Sequence, residues 1–557
     1  MLGRKVKGYF RKGTLRRDAL AGLVLGVESV PDGLAIGVLA GVNPLAGLYA
    51  YLFGMAGAAF FTASAFVVVQ ATGAMSLIVA DADLESYPDP DRALFTVAML
   101  TGVVMVIAGL LRGGRLLRFV PTAVMTGFIT AVGVNIVLGP LPNLTGTDAE
   151  GANRILRTIS IFANPLDIDL PSLTVGIVTM AGVVLLVRTP LRSLGLVVAV
   201  ILGSALAALF TFVLEQPVLK VDDLVSVPSG LPGPVLPSVS DIPTLIIPAL
   251  SLAFVGLVQG AAVAGAFPNR DGRPVASSRD FIAQGAGNLV SGLFQGMPVG
   301  GSMSATAINV SAGARTRVSL LIAAAVMAIV ILTLAPLVGY TAMPALAGLL
   351  IVMGVRAVKP WRIRSVVKTG PLQTTAMAVT FGLTLLIPLQ FSVLVGVGLG
   401  IILYVVEESN RINVRRHLIS DDGRIQEVAA PKEVPPDQIL ILQPYGSLFF
   451  ASTPKFEAEL PGVAKATRNA VVIIRLRGVD QLGLSLIEVL RRYARELAAT
   501  GSILKLTVSS PRVMAQLKST GLLAELGREN VYRSTEWLGQ SLEQAVGDAR
   551  EYLARIR

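Results

Sequence analysis

The chain contains no cysteine and a single histidine, His417. Without thiols there is no disulfide, no thiolate nucleophile and no thiolate metal site. One histidine, placed beyond the last apolar segment, leaves no histidine-based metal cluster or proton relay. No metal and no cofactor is therefore expected. Charge is scarce as well: 15% of the 557 residues are Asp, Glu, Lys or Arg, where a soluble globular chain has roughly a quarter. No nucleophile–base pair and no phosphate-binding loop stands out, so an enzyme is the class the sequence supports least. Apolar sequence fills the chain instead, with 53% hydrophobic residues and a mean hydropathy of +0.69. Apolar segments of about 17–25 residues, enough to cross roughly 30 Å of hydrocarbon, recur from residue 18 to about 408. The 56 glycines would be costly in soluble helices. In a membrane they let helices approach closely and break where a site forms.

The net charge of +11 is distributed in a way that argues against nucleic acid. Basic residues sit at segment ends: Arg4 to Arg17; Arg112, Arg115 and Arg118; Arg188 and Arg192; Arg270, Arg273 and Arg279; Arg315 and Arg317; Arg356 to Lys368. Fourteen spans counted from a cytoplasmic N-terminus put all of these on the cytoplasmic side. The intervening loops, such as Asp81–Asp91 and Glu215–Asp241, are acidic or neutral. Met1–Arg17 is basic and runs directly into the first span, so a cytoplasmic start without a cleaved signal peptide is expected. The expectation is a multi-pass protein of the cell's inner (plasma) membrane, embedded in lipid, with both termini cytoplasmic.

Spans are expected at about 18–40, 43–62, 70–80, 92–111, 119–139, 172–187, 193–214, 242–265, 279–294, 302–312, 318–337, 341–355, 371–388 and 391–408. Two of them, 70–80 and 302–312, are too short to cross a bilayer. Extended stretches precede them, Phe66–Val69 and Met297–Val299. Each is third in a block of seven spans, and the long Pro-rich loop 215–241 separates the blocks. Odd-numbered blocks insert with opposite orientation. The expected fold is therefore an all-α membrane domain over 18–408, with an inverted repeat of 18–214 and 242–408. Short, glycine-interrupted segments at matching places in two inverted halves point to a transporter binding site. Residues 409–436 read as a charged, proline-containing linker. Residues 437–557 read as a small α/β domain, alternating strands (Ile439–Leu442, Ser447–Phe450, Val471–Arg475, Ile503–Val508) with helices (Leu484–Ala499, Pro511–Thr520, Leu538–Tyr552).

Several motifs then resemble one family. Asp18–Gly22 followed by Val30-Pro31-Asp32-Gly33 is similar to the first-span signature of the SulP anion transporters, relatives of solute carrier family 26, in which the residue after the proline is often Gln. Leu39-Ala40-Gly41, Pro44 and Gly47-Leu48-Tyr49 match the segment that follows. Asp280-Phe281, Gly285, Asn288 and Gly292 resemble the ninth-span pattern, with Asp for the common Glu. Residues 437–550 resemble the STAS domain that closes these chains. The resemblance implies a seven-plus-seven inverted repeat, with a core of spans 1–4 and 8–11 moving against a gate of spans 5–7 and 12–14. It also implies a homodimer, and an anion site between the N-termini of two half-helices.

The physics of such a site is legible. A helix N-terminus presents unpaired N–H groups and about half a positive charge, so two of them face to face bind an anion without a basic side chain. The substrate-binding candidates are Gln70, Ala71, Thr72 and Gly73 at one half-helix and Ser302, Met303, Ser304 and Ala305 at the other. The blander reading is that these small residues merely allow close packing. Ala305 stands where several family members carry arginine. No Lys or Arg lies inside the expected core spans, so weak binding, or a proton accompanying the anion, is expected. Gln259, the one large polar side chain of 242–265, is a further candidate, for substrate contact or for bridging helices. That span holds no acid, which disfavours sodium coupling.

Glu28 lies ten residues beyond Asp18, about 15 Å along a helix and so near the membrane midplane. An acid there is expensive and a functional candidate by default. Two roles stand open: a proton carrier offsetting the anion's charge, and a structural acid locking the first span to a neighbour. Asp32, beside Pro31, is read as bonding backbone freed by the proline. In the C-terminal domain, alignment puts Gly483 and Ser485 where bacterial signalling relatives have the Asp and the phosphorylated Ser of Asp-x-Ser-Gly, so phosphoswitching is not expected. The leading expectation is secondary active, proton-coupled transport of a small oxyanion or carboxylate (sulfate, bicarbonate or a dicarboxylate). The alternatives are an uncoupled exchanger or channel-like conductor, and a STAS-linked membrane receptor.

Overall fold

The computed structural model describes residues 12–114, 121–151, 153–269, 277–420, 424–534 and 539–556. Arg4 to Arg11, Arg115, Arg118, Arg270 and Arg273, read above as cytoplasmic cations, lie outside them, as do residues 119–120 and Leu538. Contacts divide the chain into two units, Met1–Gly400 and Ile401–Arg557.

In the first unit a helix lies at each expected segment. These are α1 (Lys12–Leu39), α2 (Pro44–Phe61), α3 (Gly73–Ala80), α4 (Pro90–Leu110), α5 (Thr122–Leu138), α8 (Leu170–Leu186), α9 (Leu194–Val213), α11 (Ile242–Ala266), α12 (Ser277–Leu293), α13 (Met303–Ser311), α14 (Val318–Gly339), α15 (Met343–Ala357), α17 (Pro371–Leu386) and α18 (Leu389–Asn410). Between them stand helices that apolar run length did not reveal: α6 (Leu141–Thr145), α7 (Arg154–Ala163), α10 (Val221–Leu224) and α16 (Pro360–Thr369). Local chemistry sets the boundaries. Asn43, Asp89 and Asp169 each cap a helix start with a side-chain oxygen, and Pro follows each at the first turn. Among the described residues eight helices are long and apolar enough to cross a membrane. Several leave large apolar side chains uncovered, such as Leu202 and Phe212 on α9 and Leu332 and Leu337 on α14. Such surface is unfavourable in water and matched by lipid.

The helices pack in two groups. In one, α12 lies along α4 and α2, α14 along α1 and α2, and α11 along α4. Glycines stand where α4 crosses α12: a Cβ on Gly102 would lie 2.8 Å from the Gly285 carbonyl oxygen, and one on Gly292 2.6 Å from that of Phe95. In the other group α5 packs with α17 and α15, and α8 with α9 and α15.

Two strands precede the half-helices. β1 (Val68–Gln70) and β2 (Gly300–Ser302) pair antiparallel, with Val68 opposite Ser302 and Gln70 opposite Gly300. The extended stretches were expected earlier, at Phe66–Val69 and Met297–Val299; the second is not part of the ladder. Asn288 occupies its last residue, donating to the Val299 carbonyl at 2.6 Å and accepting from Val299 N at 2.8 Å, so pairing starts at Gly300.

The second unit carries a six-stranded mixed sheet in the order β4 (Ile425–Ala429), β3 (Asn413–Ile419), β5 (Ile439–Tyr445), β6 (Val471–Leu476), β7 (Ile503–Val508), β8 (Val531–Arg533). The pairs from β5 to β8 are parallel, and β3 is antiparallel to both neighbours. The stretch 409–436, expected to be a linker, thus contributes two strands. β3 lacks the apolar alternation that marks a strand, because its buried residues Val414 and His417 are three apart and lie on opposite faces among charged neighbours. Ser447–Phe450, expected as a strand, is not one. Gly446 turns the chain at φ +99°, and Ser452 Oγ holds the following turn by accepting from Phe449 N and donating to Ser447 O, both at 2.9 Å. One sheet face packs on α20 (Leu484–Ala498) and α21 (Pro511–Ser519), the other on α23 (Gln540–Ile556), with α19 (Thr453–Glu459) and α22 (Leu522–Leu526) completing the helices.

Candidate anion-binding site

Pairing of β1 with β2 brings the starts of α3 and α13 together within the first helix group. Thr72 caps α3, its hydroxyl accepting from Met75 N at 3.4 Å; Ser302 caps α13, accepting from Ala305 N at 3.4 Å. Gly73 and Met303 are the first helical residues, and the amides of each first turn have no intrahelical partner to take. Gln70, expected at the half-helix, is the last residue of β1; its amide donates to Ser302 Oγ at 3.4 Å and so bridges the two halves. Thr72 Oγ1 donates to Gln259 Oε1 at 2.9 Å, and the hydroxyls of Ser302 and Ser304 lie 3.3 Å apart. Ala71 and Ala305 are buried, whereas Thr72, Gly73, Gln259, Met303 and Ser304 keep accessible surface. The structure therefore brings together all nine candidates. The hydrogen-bond partners of Gln70, Thr72, Gln259, Ser302 and Ser304 are uncharged, so what these residues offer negative charge is backbone amide, amide side chain and hydroxyl.

Residues outside the expected set hold this geometry. Val68 N donates to Thr306 Oγ1 at 3.0 Å, and Gly301 N to Gln284 Oε1 at 3.1 Å. β2 lies directly on α11: a Cβ at Gly301 would sit 2.5 Å from the Gly260 Cα, and one at Gly300 3.1 Å from the Gly256 Cα. The Gly256-x3-Gly260 spacing facing Gly300-Gly301 was the available signal.

Glu28 sits on α1 and is 4% exposed; its Oε2 has no hydrogen-bond partner. Asp32, one turn on and equally buried, does not bond freed backbone as the sequence suggested. Its Oδ2 accepts from the hydroxyl of Tyr51 on α2 at 2.7 Å, because α1 and α2 pack closely here: a Cβ on Gly47 would lie 2.1 Å from Gly33 O. Asp18 and Asp280, quoted above for their family pattern, have anchoring partners. Asp18 accepts from Arg315 N, Thr316 N and Thr316 Oγ1 (2.6–3.0 Å), and Asp280 from Thr62 Oγ1, Ala63 N and Ser64 N (2.8–3.3 Å).

The far end of α3 is tied to the second helix group. Asp81, its C-cap, meets Arg154 of α7 at 2.8 Å and accepts from Leu389 N at 2.9 Å, while Arg154 also donates to Leu77 O at 3.4 Å. A cation on the last carbonyls of a helix suits its dipole. In the second unit Gly483 caps α20 and Ser485 is exposed in its first turn.

A family model described as the sulfate permease family matches residues 15–380, and one for the STAS domain matches 431–538. A probable sulfate transporter of Mycobacterium tuberculosis is 25% identical over 538 residues, covering 94% of each chain. The bicarbonate transporter BicA of Picosynechococcus is 28% identical over 477 residues, covering 83% of this chain and 81% of its own. Among solved structures, murine solute carrier 26 family member A9, described as an anion transporter in the inward-facing state, superimposes with a TM-score of 0.83 at 21% identity, covering 98% of this chain and 93% of that one. The membrane domain of BicA gives 0.60 at 23%, covering 70% of this chain and 98% of its own. The helical membrane part and the α/β C-terminal part thus share the solute carrier 26 fold, and the chain is a multi-pass membrane protein. It belongs to the sulfate permease family, whose members transport anions across membranes, and it ends in a STAS domain.

Proposed function

We propose that this protein is a secondary active transporter of a small oxyanion or carboxylate, moved together with a proton by alternating access. One observation carries the reading: two capped helix N-termini, on α3 and α13, are joined through the β1–β2 pair, and the hydrogen-bond partners of the polar side chains there are uncharged. Each end contributes about half a positive charge and free N–H groups. That attracts an anion strongly enough to load it and weakly enough to release it. Gln70, Ala71, Thr72, Gly73, Gln259, Ser302, Met303, Ser304 and Ala305 form the site in this reading, and Glu28 carries the proton that offsets the anion's charge. The group holding α1–α4 and α11–α14 is the moving core, and that holding α5–α9 and α15–α18 is the gate. Fourteen membrane segments in two inverted repeats, a dimer, a plasma-membrane location and cytoplasmic termini complete the proposal. The domain limits proposed are 18–408 for transport and 437–557 for the STAS part.

The names of the relatives, sulfate and bicarbonate transporters, support the substrate class. Uptake of radiolabelled sulfate, bicarbonate and a dicarboxylate into proteoliposomes, with and without an inward proton gradient, tests it. Saturable uptake of one of them, accelerated by the gradient, is expected. Uptake indifferent to the gradient removes the symport claim and leaves exchange or conductance.

A further inference from the structure

The membrane unit holds two deeply buried acids close together, and proton carriage as proposed above uses only one of them. Glu28 and Asp32 are one helical turn apart on α1, hence on one face, and each is 4% exposed. Glu28 Oε2 and Asp32 Oδ1 have no hydrogen-bond partner. The remaining Asp32 oxygen accepts from Tyr51 at 2.7 Å. Of the elements packed on α1, helices α3, α9, α13 and α14 contain no charged residue, and α15 has only Arg356 in its last turn. α2 contributes Tyr49 and Tyr51 as its titratable groups. Two acceptor-only carboxylates on one helix face in an apolar interior, each with an orphaned oxygen, favour taking up a proton between them.

We infer that Glu28 and Asp32 form one proton site: a single proton is shared between them, making Asp32 a second proton-handling residue of transport. The inference rests on the proton-coupled reading above and extends it. Tyr51 orients Asp32 through its hydroxyl. The step balances as a proton transfer. When the anion loads, hydronium on the open side gives up a proton, its O–H bond breaking as the carboxyl O–H forms; when the anion leaves on the other side, the carboxyl O–H breaks and water takes the proton.

Two measurements test this. Purified wild-type protein in weak buffer, given the transported anion, should take up one proton per chain. Two protons per chain would mean independent acids and would overturn the shared site; none would remove the proton-coupled reading along with it. The pH profile of uptake is the second. Asp32→Asn removes the negative neighbour of Glu28 and should move the midpoint to lower pH. Tyr51→Phe removes the donor that favours the Asp32 carboxylate and should move it to higher pH, each by about one pH unit. Opposite shifts are a signature that a merely structural role for Asp32 does not give. A pH-dependent wild type whose variants transport with an unchanged midpoint overturns the inference and leaves the parent reading standing. If either variant loses transport or fails to fold, the proton count on the wild type decides alone.

Discussion

Replacing Gly301 by alanine perturbs the contact on which the proposed site depends. The added Cβ would lie 2.5 Å from the Gly260 Cα and 3.2 Å from its nitrogen, both backbone atoms that no rotamer change can move. Carbon atoms in contact settle at roughly 3.5–4.0 Å, so β2 and α11 must part by about 1 Å. Overpacking of this kind costs about 1–3 kcal/mol, equivalent to about 5–150-fold in an equilibrium constant. The displacement falls where it matters, since β2 leads into the Ser302 cap and α11 carries Gln259, the partner of Thr72. Gly265→Ala is the control: it lies on the same helix, with no atom within 4 Å of its new Cβ. Both variants should be purified, melted and assayed for the anion concentration giving half-maximal uptake. The expected result is a lower Tm and at least fivefold weaker half-saturation for Gly301→Ala, with Gly265→Ala matching the wild type. A Gly301→Ala protein with wild-type Tm and half-saturation would refute the claim that β2–α11 contact sets the site.

Further outcomes follow from other contacts. Ser302→Ala removes the α13 cap and the acceptor of Gln70, so a stability loss of about 1 kcal/mol and weaker anion binding by isothermal titration are expected, with Ser302→Thr restoring both. The Asp81–Arg154 pair joins α3 to α7, which the proposal puts on opposite sides of the moving boundary. Cysteines introduced as Asp81→Cys and Arg154→Cys should therefore crosslink and stop uptake, with reductant restoring it; crosslinking without inhibition would exclude movement there. His417 is held below its ordinary pKa by burial first and by Arg475 second, with Glu427 opposing, and its Nδ1 lies 3.1 Å from Arg475 Nη1. The unfolded chain thus takes up this proton at higher pH than the folded one, so folded stability falls as pH drops through about 6.5. The protection of β3 amides in the full-length protein, measured as exchange relative to the intrinsic rate at each pH, should fall from pH 8 to 5.5, and His417→Asn should flatten that slope.

The sequence revealed what apolar run length encodes: the spans were legible that way, and the two half-helices because each is too short to span. Amphipathic α7 and α16 escaped, since a helix of ten residues lying between spans has no long apolar run. The same holds for residues 409–436: charges at Arg415, Arg416 and Glu427 look like linker, and only the pairing of β3 to β5 and of β4 to β3 makes them strand. At the site, residue types were readable but partners were not. Nothing in the spacing links Asp32 to Tyr51, nineteen positions away, or Thr72 to Gln259 across 187, because such contacts arise from tertiary packing. Asp18 and Asp280, conspicuous as acids at span ends, are accounted for by the backbone amides they accept from.

The central claim is that an anion binds between the two half-helix N-termini. Anomalous diffraction from crystals soaked in selenate, or in bromide for a monovalent probe, measures this directly. The account predicts a peak within hydrogen-bonding distance of both the Thr72–Gly73 and the Met303–Ser304 segments, lost in the Ser302→Ala protein at the same concentration. A peak elsewhere in the membrane unit that competes with the transported anion, with none at this junction, would contradict it.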